Sequence, residues 1–229
     1  MTLIVPAAAQ SDTLPYIFEK DKQNELLLYA SVSGIDLSGI DAIYITILQH
    51  HATAYDIEER IKESFVRHHL WHKTHIVQIE KSSSEPSTIA QTIEKCHLTD
   101  SFMVKDSDNF FQAHPSKGNY VCVYPLDQLK RVNPANKSYV ELDYSMYITN
   151  IIEKRIIGRY FCTGGYCFQS ANDFLKHYQQ LSEIVKKGEG FYLSHIVFAM
   201  LLEGQSFRPI FVDNYIDWGT KEEWTEYKK

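Results

Sequence analysis

A cysteine framework is missing from this 229-residue chain: Cys96, Cys122, Cys162 and Cys167 are its only cysteines, and no CxxC pair occurs. That excludes a zinc ribbon and a disulfide scaffold, and the thiols read as buried packing groups of a reducing compartment. No apolar run approaches the roughly 20 residues that cross a bilayer; Ile196–Leu202 is among the longest. No basic stretch leads into an apolar one at the start, so Met1–Pro6 reads as a first strand rather than a secretory leader. An excess of positive charge is also absent. Lys and Arg number 23 against 29 Asp and Glu, a net charge of −6, which offers no general pull on nucleic acid or anionic lipid. Phosphate binding would need a local site of backbone N–H groups, a metal ion or a few placed lysines. What is present is ordinary: 44% hydrophobic and 23% charged residues. That composition belongs to a soluble globular protein, and the length to one α/β-sized domain over residues 1–229.

The chain alternates strand and helix patterns. Leu3–Ala8 is a short apolar run, and Ala42–Leu48 is rich in β-branched residues; both predict buried strands. Helices are expected at Glu25–Ser33, at Ala54–His69 (Ile57, Ile61 and Phe65 at helical spacing) and at Thr88–Cys96 with Ser87 as N-cap. His75–Ile79 and Ser101–Val104 complete a β-α-β-α-β-α-β series, which predicts a mostly parallel sheet. Past residue 110 the strand-like runs Tyr120–Tyr124, Ser138–Asp143, Ile148–Ile152 and Gly165–Phe168 suggest antiparallel pairing. Helices Ala171–Lys187 and Leu193–Glu203 and a strand Phe207–Asp213 follow. The polar stretches Ser82–Pro86 and Asn133–Lys137 read as loops within the domain, and Glu222–Lys229 as an exposed charged helix end. The expected fold is α/β: a Rossmann-like, three-layer α/β/α arrangement around a mostly parallel mixed sheet.

In open α/β sheets, ligands sit beyond the carboxyl ends of the strands. Asp106-x-Asp108 follows the fourth strand, and Asp217 follows the last. Two carboxylates converging from distant parts of a chain suit Mg²⁺, which takes one or two carboxylates plus substrate phosphates. The bland alternative is that Asp106 and Asp108 cap a turn. His68 and His72 stand four apart, a metal-ligand spacing, but no carboxylate pair or cysteine completes a site; a polar helix end explains them. Asn136-Lys137-Ser138 fits a glycosylation sequon that a cytoplasmic chain would not use.

The order of segments resembles the sugar-1-phosphate nucleotidyltransferase family over almost the whole chain. Val104–Phe111 looks like the segment whose Asp carries the metal, with Asp108 at that position. Lys137–Asp143 resembles the strand before the family's Glu-Lys pair, and Glu153-Lys154 matches the pair itself. Gly164-Gly165-Tyr166-Cys167-Phe168 resembles the strand that lines the sugar pocket. Tyr215–Trp224 resembles the closing segment whose Asp, here Asp217, is the second metal ligand. The resemblance implies an NTP and a sugar phosphate as substrates, with Mg²⁺ on Asp108 and Asp217. Lys154 would orient the acceptor phosphate and Glu153 its hydroxyls, with Gly165, Tyr166 and Tyr192 at the sugar pocket. Ala7, Ala8, Ala9, Ser87, Thr88 and Asp106 would hold the nucleotide. It also implies a cytoplasmic bacterial enzyme of capsule or lipopolysaccharide biosynthesis, in a family where homo-oligomers are common.

The chain departs from the family after its first strand. Val5-Pro6-Ala7-Ala8-Ala9-Gln10-Ser11-Asp12-Thr13-Leu14-Pro15-Tyr16 contains no glycine and no arginine where a Gly-rich phosphate loop belongs, and Tyr16 stands where a lysine would be. Lys20 and Lys22 lie just downstream and could substitute only if the loop folds differently. Two further readings therefore stay open. One is a glycosyltransferase using Asp106-x-Asp108 on a nucleotide-sugar donor. The other is a catalytically inactive subunit that binds nucleotide or sugar phosphate.

Overall fold

Alternate side chains of β1 (Thr2–Ala7) enter different cores: Leu3 and Val5 pack on one face of the sheet, Ile4 on the other. Burial on both faces marks a strand covered by helices on two sides. In the computed structural model, which describes residues 1–129, 136–185, 190–219, 223 and 224, β1 lies between β2 (Ala42–Leu48) and β4 (Phe102–Lys105), parallel to both. β3 (Thr74–Ile79) extends the parallel set beyond β2. On the far side of β4 runs β9 (Tyr160–Phe168), antiparallel. Next come β6 (Tyr120–Pro125), antiparallel to β9, and β10 (Arg208–Phe211), parallel to β6. A hairpin of β7 (Ser138–Leu142) and β8 (Ile148–Glu153) joins the first residues of β9 through β7. The expected mostly parallel mixed sheet is found.

α1 (Leu27–Val32) and α3 (Ile57–Arg67) cover one face, where Leu28, Val32, Ile57, Ile61 and Phe65 are fully buried. On the other face lie α4 (Glu85–Cys96), α5 (Ala171–Ile184) and α6 (Leu193–Leu202), with Ile89, Ile93, Phe174, Ile196 and Val197 inside. The result is the three-layer α/β/α arrangement.

Several boundaries differ from expectation. The helix predicted over 54–69 is two helices, α2 (Gln49–Tyr55) and α3, because Asp56 adopts a left-handed conformation (φ 51°) between them. Ser84, not Ser87, caps α4. Its Oγ accepts the Ser87 N–H at 3.2 Å, and Pro86 falls in the first turn, where its missing N–H costs nothing. Two short strands escaped prediction: β5 (Asn109–Gln112) and β11 (Asp213–Asp217), which form a separate antiparallel ribbon. Of the tail, Glu223 and Trp224 are described. Trp224 is buried with Leu27 and Trp218, so at this point the expectation of an exposed helix end fails. Glu222 and residues 225–229 lie outside the described residues, as do Thr220 and Lys221 of the closing segment.

Candidate active site

The carboxyl ends of β1 and β4 sit side by side, and the chain leaving β4 turns across them. Lys105, the last residue of β4, is fully buried. Its ammonium donates to Asp106 O (2.6 Å), Asn109 O (2.9 Å) and Asn109 Oδ1 (2.7 Å), and lies 4.5 Å from the Phe111 ring centroid. Burial lowers its pKa to about 8 in spite of Asp106 and Asp108 nearby. Ser107 Oγ donates to Pro6 O at 3.0 Å, tying the turn to β1. The segment from 105 to 109 is therefore fixed from beneath and from the side, and Asp106 and Asp108 are left facing two adjoining cavities of about 310 and 350 Å³.

The pairing of β5 with β11 brings Asp217 to this place. Asp217 stands opposite Asn109, and Trp218 N donates to Asp108 O at 2.9 Å. The carboxylates of Asp108 and Asp217 converge: a Cβ built on Gly219 would lie 3.5 Å from Asp108 Oδ2 and 3.1 Å from Asp217 Oδ1. Burial, and next the charge of Asp217, raise the pKa of Asp108. Two hard oxygen donors that meet in this way suit Mg²⁺ completed by substrate phosphates. Among the described residues, no set of three His, Cys, Asp or Glu is grouped to hold a metal without such help. Asp217 is also partnered within the protein: Gly219 N donates to its Oδ1 at 3.0 Å, and the Lys137 ammonium bonds its Oδ2.

The first cavity is lined by Asp106, Asp108, Lys137, Glu153, Lys154, Tyr166, Tyr192, Tyr215 and Asp217, among others. Glu153 Oε2 accepts from Ser138 Oγ and from Ser194 Oγ, the latter at 2.7 Å. Lys154 adopts a left-handed backbone (φ 60°), and its ammonium donates to Tyr192 Oη at 2.5 Å, a contact that raises the lysine's pKa. Of the sugar-pocket residues expected from sequence, Tyr166 and Tyr192 line the cavity; Gly165 does not. A Cβ on Gly165 would stand 2.7 Å from both Cys122 Sγ and the Phe111 ring, so its open side faces the core. Gly164 lines the cavity instead, in a positive-φ conformation (φ 80°) that lets Asp106 come within 2.1 Å of where a Cβ would be.

The second cavity is lined by Pro6, Ala8, Ala9, Gln10, Ser82–Glu85, Thr88, Asp106, Ser107 and Asp108. Of the residues expected at the nucleotide, Ala8, Ala9, Thr88 and Asp106 thus line this cavity. Ala7 and Ser87 do not line it: Ala7 is part of the core, and Ser87 is buried beneath the cap, its hydroxyl bonded to Gln91. The loop after β1 runs against α2, held where His51 Nε2 meets Ser11 O (2.8 Å) and Tyr55 Oη donates to Asp12 O (3.3 Å). Tyr16 lies beside the acid pair. Its pKa is raised by burial first and then by Asp108 and Asp217, which keeps the phenol protonated. Lys20 points to Glu63 on α3, at 3.9 Å, and lines neither cavity. Nor do His68 and His72 form a metal pair: His68 stacks on Tyr29 and bonds Glu25 at 2.7 Å, and His72 lies past the end of α3.

Sequence reasoning missed Glu85, Lys105 and Lys137. Glu85 lies where the two cavities meet, carboxyl to carboxyl with Asp106, and each has a buried oxygen without a hydrogen-bond partner (Glu85 Oε1, Asp106 Oδ1). Burial, and next the Asp106 charge, push Glu85 well above the usual carboxylate range, and burial lifts Asp106 to about 6. The only sequence signal of Glu85 was a polar Ser-Ser-Ser-Glu-Pro run. Lys137 read as the end of a loop, and nothing in its neighbours set it apart from a surface lysine.

No protein-family model matches the chain, and no curated protein matches it in sequence. Its fold does match solved structures. A nucleoside-diphosphate-sugar pyrophosphorylase from Vibrio cholerae RC9 superposes with a TM-score of 0.81 at 16% identity, covering 99% of both chains. The inositol-1-phosphate CTP transferase of T. maritima gives 0.71 at 16% identity, over 99% of this chain and 93% of that one. HddC from Yersinia pseudotuberculosis, solved with GMP-PN, gives 0.64 at 13% identity, over 99% and 97%. Identities this low bear on architecture alone, and on that ground the chain has the three-layer α/β fold of these pyrophosphorylases and nucleotidyltransferases.

Proposed function

We propose that the chain transfers a nucleotidyl group from an NTP to a sugar phosphate or a similar phosphorylated small molecule, with release of pyrophosphate. The observation that carries this reading is the convergence of Asp108 and Asp217 at the border of two adjoining cavities. One cavity is walled by the strand ends that hold nucleotides in folds of this kind. The other offers Glu153 and Lys154, a carboxylate and an ammonium already oriented by Ser138, Ser194 and Tyr192. In the reaction an acceptor phosphate oxygen bonds to the α-phosphorus, the bond from that phosphorus to the bridging oxygen breaks, and pyrophosphate leaves with the electron pair. Mg²⁺ held by Asp108 and Asp217 would neutralise the phosphate charge. Lys154 binds and aligns the acceptor phosphate, and Glu153 accepts hydrogen bonds from acceptor hydroxyls. Ala8, Ala9 and Thr88 border the nucleotide, and Tyr166 and Tyr192 flank the acceptor. The product would be an activated precursor for a bacterial surface polysaccharide, made in the cytoplasm. That setting, and a homo-oligomeric state, rest on the family resemblance alone.

Pyrophosphate release from CTP, GTP, UTP and dTTP with Mg²⁺ and a panel of sugar phosphates tests the reading. We expect release with one NTP–acceptor pair, reduced about 10²-fold or more in Asp108→Ala and Asp217→Ala. No release with any pair would sink it. A second reading, binding without turnover, draws on the second cavity, whose described lining contains no cationic side chain. Nucleotide binding by calorimetry with no release would favour that reading. Release of a nucleoside diphosphate from a nucleotide sugar would favour a glycosyltransferase.

A further inference from the structure

Lys137 has no place in the resemblance beyond opening a strand, yet its ammonium lies among the acids of the site. It bonds Asp217 Oδ2 and donates to Tyr215 Oη at 2.8 Å, with its side chain 16% exposed. Its charge also acts on Asp106 and Asp108. Among the described residues, Lys137 and Lys154 are the only cations lining either cavity, and Lys154 is held at the far wall by Tyr192. Meanwhile the loop after β1 lacks the arginine and glycines of a phosphate clamp, and Lys20 is turned toward Glu63. The polyphosphate of an NTP brings several negative charges into a pocket walled by Glu85, Asp106, Asp108 and Asp217. A divalent ion held by Asp108 and Asp217 would offset part of that charge, and a further cation would be needed for the rest.

We propose that Lys137 is an exchangeable cation: it neutralises Asp217 in the metal-free site, gives that carboxylate up to a divalent ion, and then serves as the clamp for the polyphosphate. This deepens the nucleotidyltransferase reading and rests on it. The chemistry follows from competition for the charge of one carboxylate: Lys137 bonds Asp217 Oδ2, while Oδ1 is the oxygen that lies near Asp108 Oδ2 around Gly219. A divalent ion held by Asp108 and Asp217 would draw on that same charge and repel the ammonium, and so would loosen the lysine's hold. The displaced ammonium stays tethered within reach of the phosphates the metal binds. The site would thus avoid the cost of two facing carboxylates when empty, and gain a phosphate-binding group when filled.

Calorimetric titration of Mn²⁺ alone, then of tripolyphosphate in saturating Mn²⁺, separates the two halves of the exchange without any turnover. Lys137→Met and Lys137→Gln remove the competing charge; Gln keeps a hydrogen-bonding side chain should Met fail to fold. Both variants should bind Mn²⁺ about tenfold more tightly than wild type, and tripolyphosphate at least about tenfold more weakly. Unchanged or weaker Mn²⁺ affinity in the variants, or no Mn²⁺ binding in any of the proteins, overturns the exchange. Tripolyphosphate affinity equal to wild type overturns the clamp. These outcomes are independent of the pyrophosphate assay. Absent turnover with the Mn²⁺ and tripolyphosphate shifts present would refute catalysis and leave Lys137's role standing. Turnover with neither shift would do the reverse.

Discussion

Lys105 shows how a buried charge can be spent on shape. A lysine enclosed in the core is costly, and this one is tolerated because three oxygens of the following turn receive its protons. Lys105→Met would strand those acceptors without a donor. We expect a loss of about 3 kcal/mol in urea unfolding, together with weaker Mn²⁺ binding, because the turn carrying Asp106 and Asp108 loses its anchor. A fall below about 1 kcal/mol would mean that water replaces the ammonium. Gly164 sets the other wall of the turn. Gly164→Ala puts a methyl 2.1 Å from Asp106 Oδ2 on a backbone with φ 80°. The cost should be about 2–4 kcal/mol, from left-handed strain plus overpacking, read as a drop in Tm. Gly165, its neighbour in the quoted motif, is constrained by the core instead. A Gly-Gly pair in sequence does not reveal which member faces the ligand, because successive residues of a strand face opposite sides.

At the scale of elements, the β5–β11 ribbon matters more to the site than its size suggests. Asp108 and Asp217 are 109 positions apart in the chain, and the register of this ribbon is what makes them neighbours. The end that carries Asp217 is held by Trp218, fully buried with Leu27 and Trp224. Trp218→Ala should cost about 3–5 kcal/mol. Because it loosens Asp217, it should also weaken Mn²⁺ binding more than an equally destabilising change in α3, such as Phe65→Ala. Equal effects of the two on Mn²⁺ would argue against the ribbon as the organiser. Sequence periodicity missed both strands because four- and five-residue segments give too few alternations to stand out from a loop. The longer elements were legible for the opposite reason. Ala42–Leu48 was recovered residue for residue, and Ile57, Ile61 and Phe65 marked the buried side of α3.

Across the whole molecule, the balance between the acid cluster and its few lysines makes stability depend on pH. Burial raises the pKa of both Glu85 and Asp106 in the folded state above the ordinary carboxylate range of the unfolded chain. A folded pKa raised above the unfolded one gives stability that is fully present at low pH and lost as pH rises through the folded value. The window opens above the ordinary carboxylate pKa and includes the region near pH 6, to which burial lifts Asp106. We therefore expect Tm to fall between pH 5 and pH 8, and to fall less in Glu85→Gln, which keeps a hydrogen-bond donor to Asp106 without the second charge. Identical slopes for the two proteins would show that Glu85 does not contribute to the pH dependence.

The order of the longer strands and helices, the parallel first half and the position of Asp106, Asp108, Glu153, Lys154 and Asp217 along the chain were determined by the sequence itself. Hydrophobic periodicity and short motifs are local properties, readable within a window of a few residues. What only the tertiary structure decided are the encounters between windows. These include Lys137 on Asp217 across 80 positions, Ser194 on Glu153 across 41, and Glu85 against Asp106. They also include the assignment of Gly164 rather than Gly165 to the cavity wall. Each of these depends on strand register and on burial, which are set when distant segments compete for the same core and which no single segment encodes.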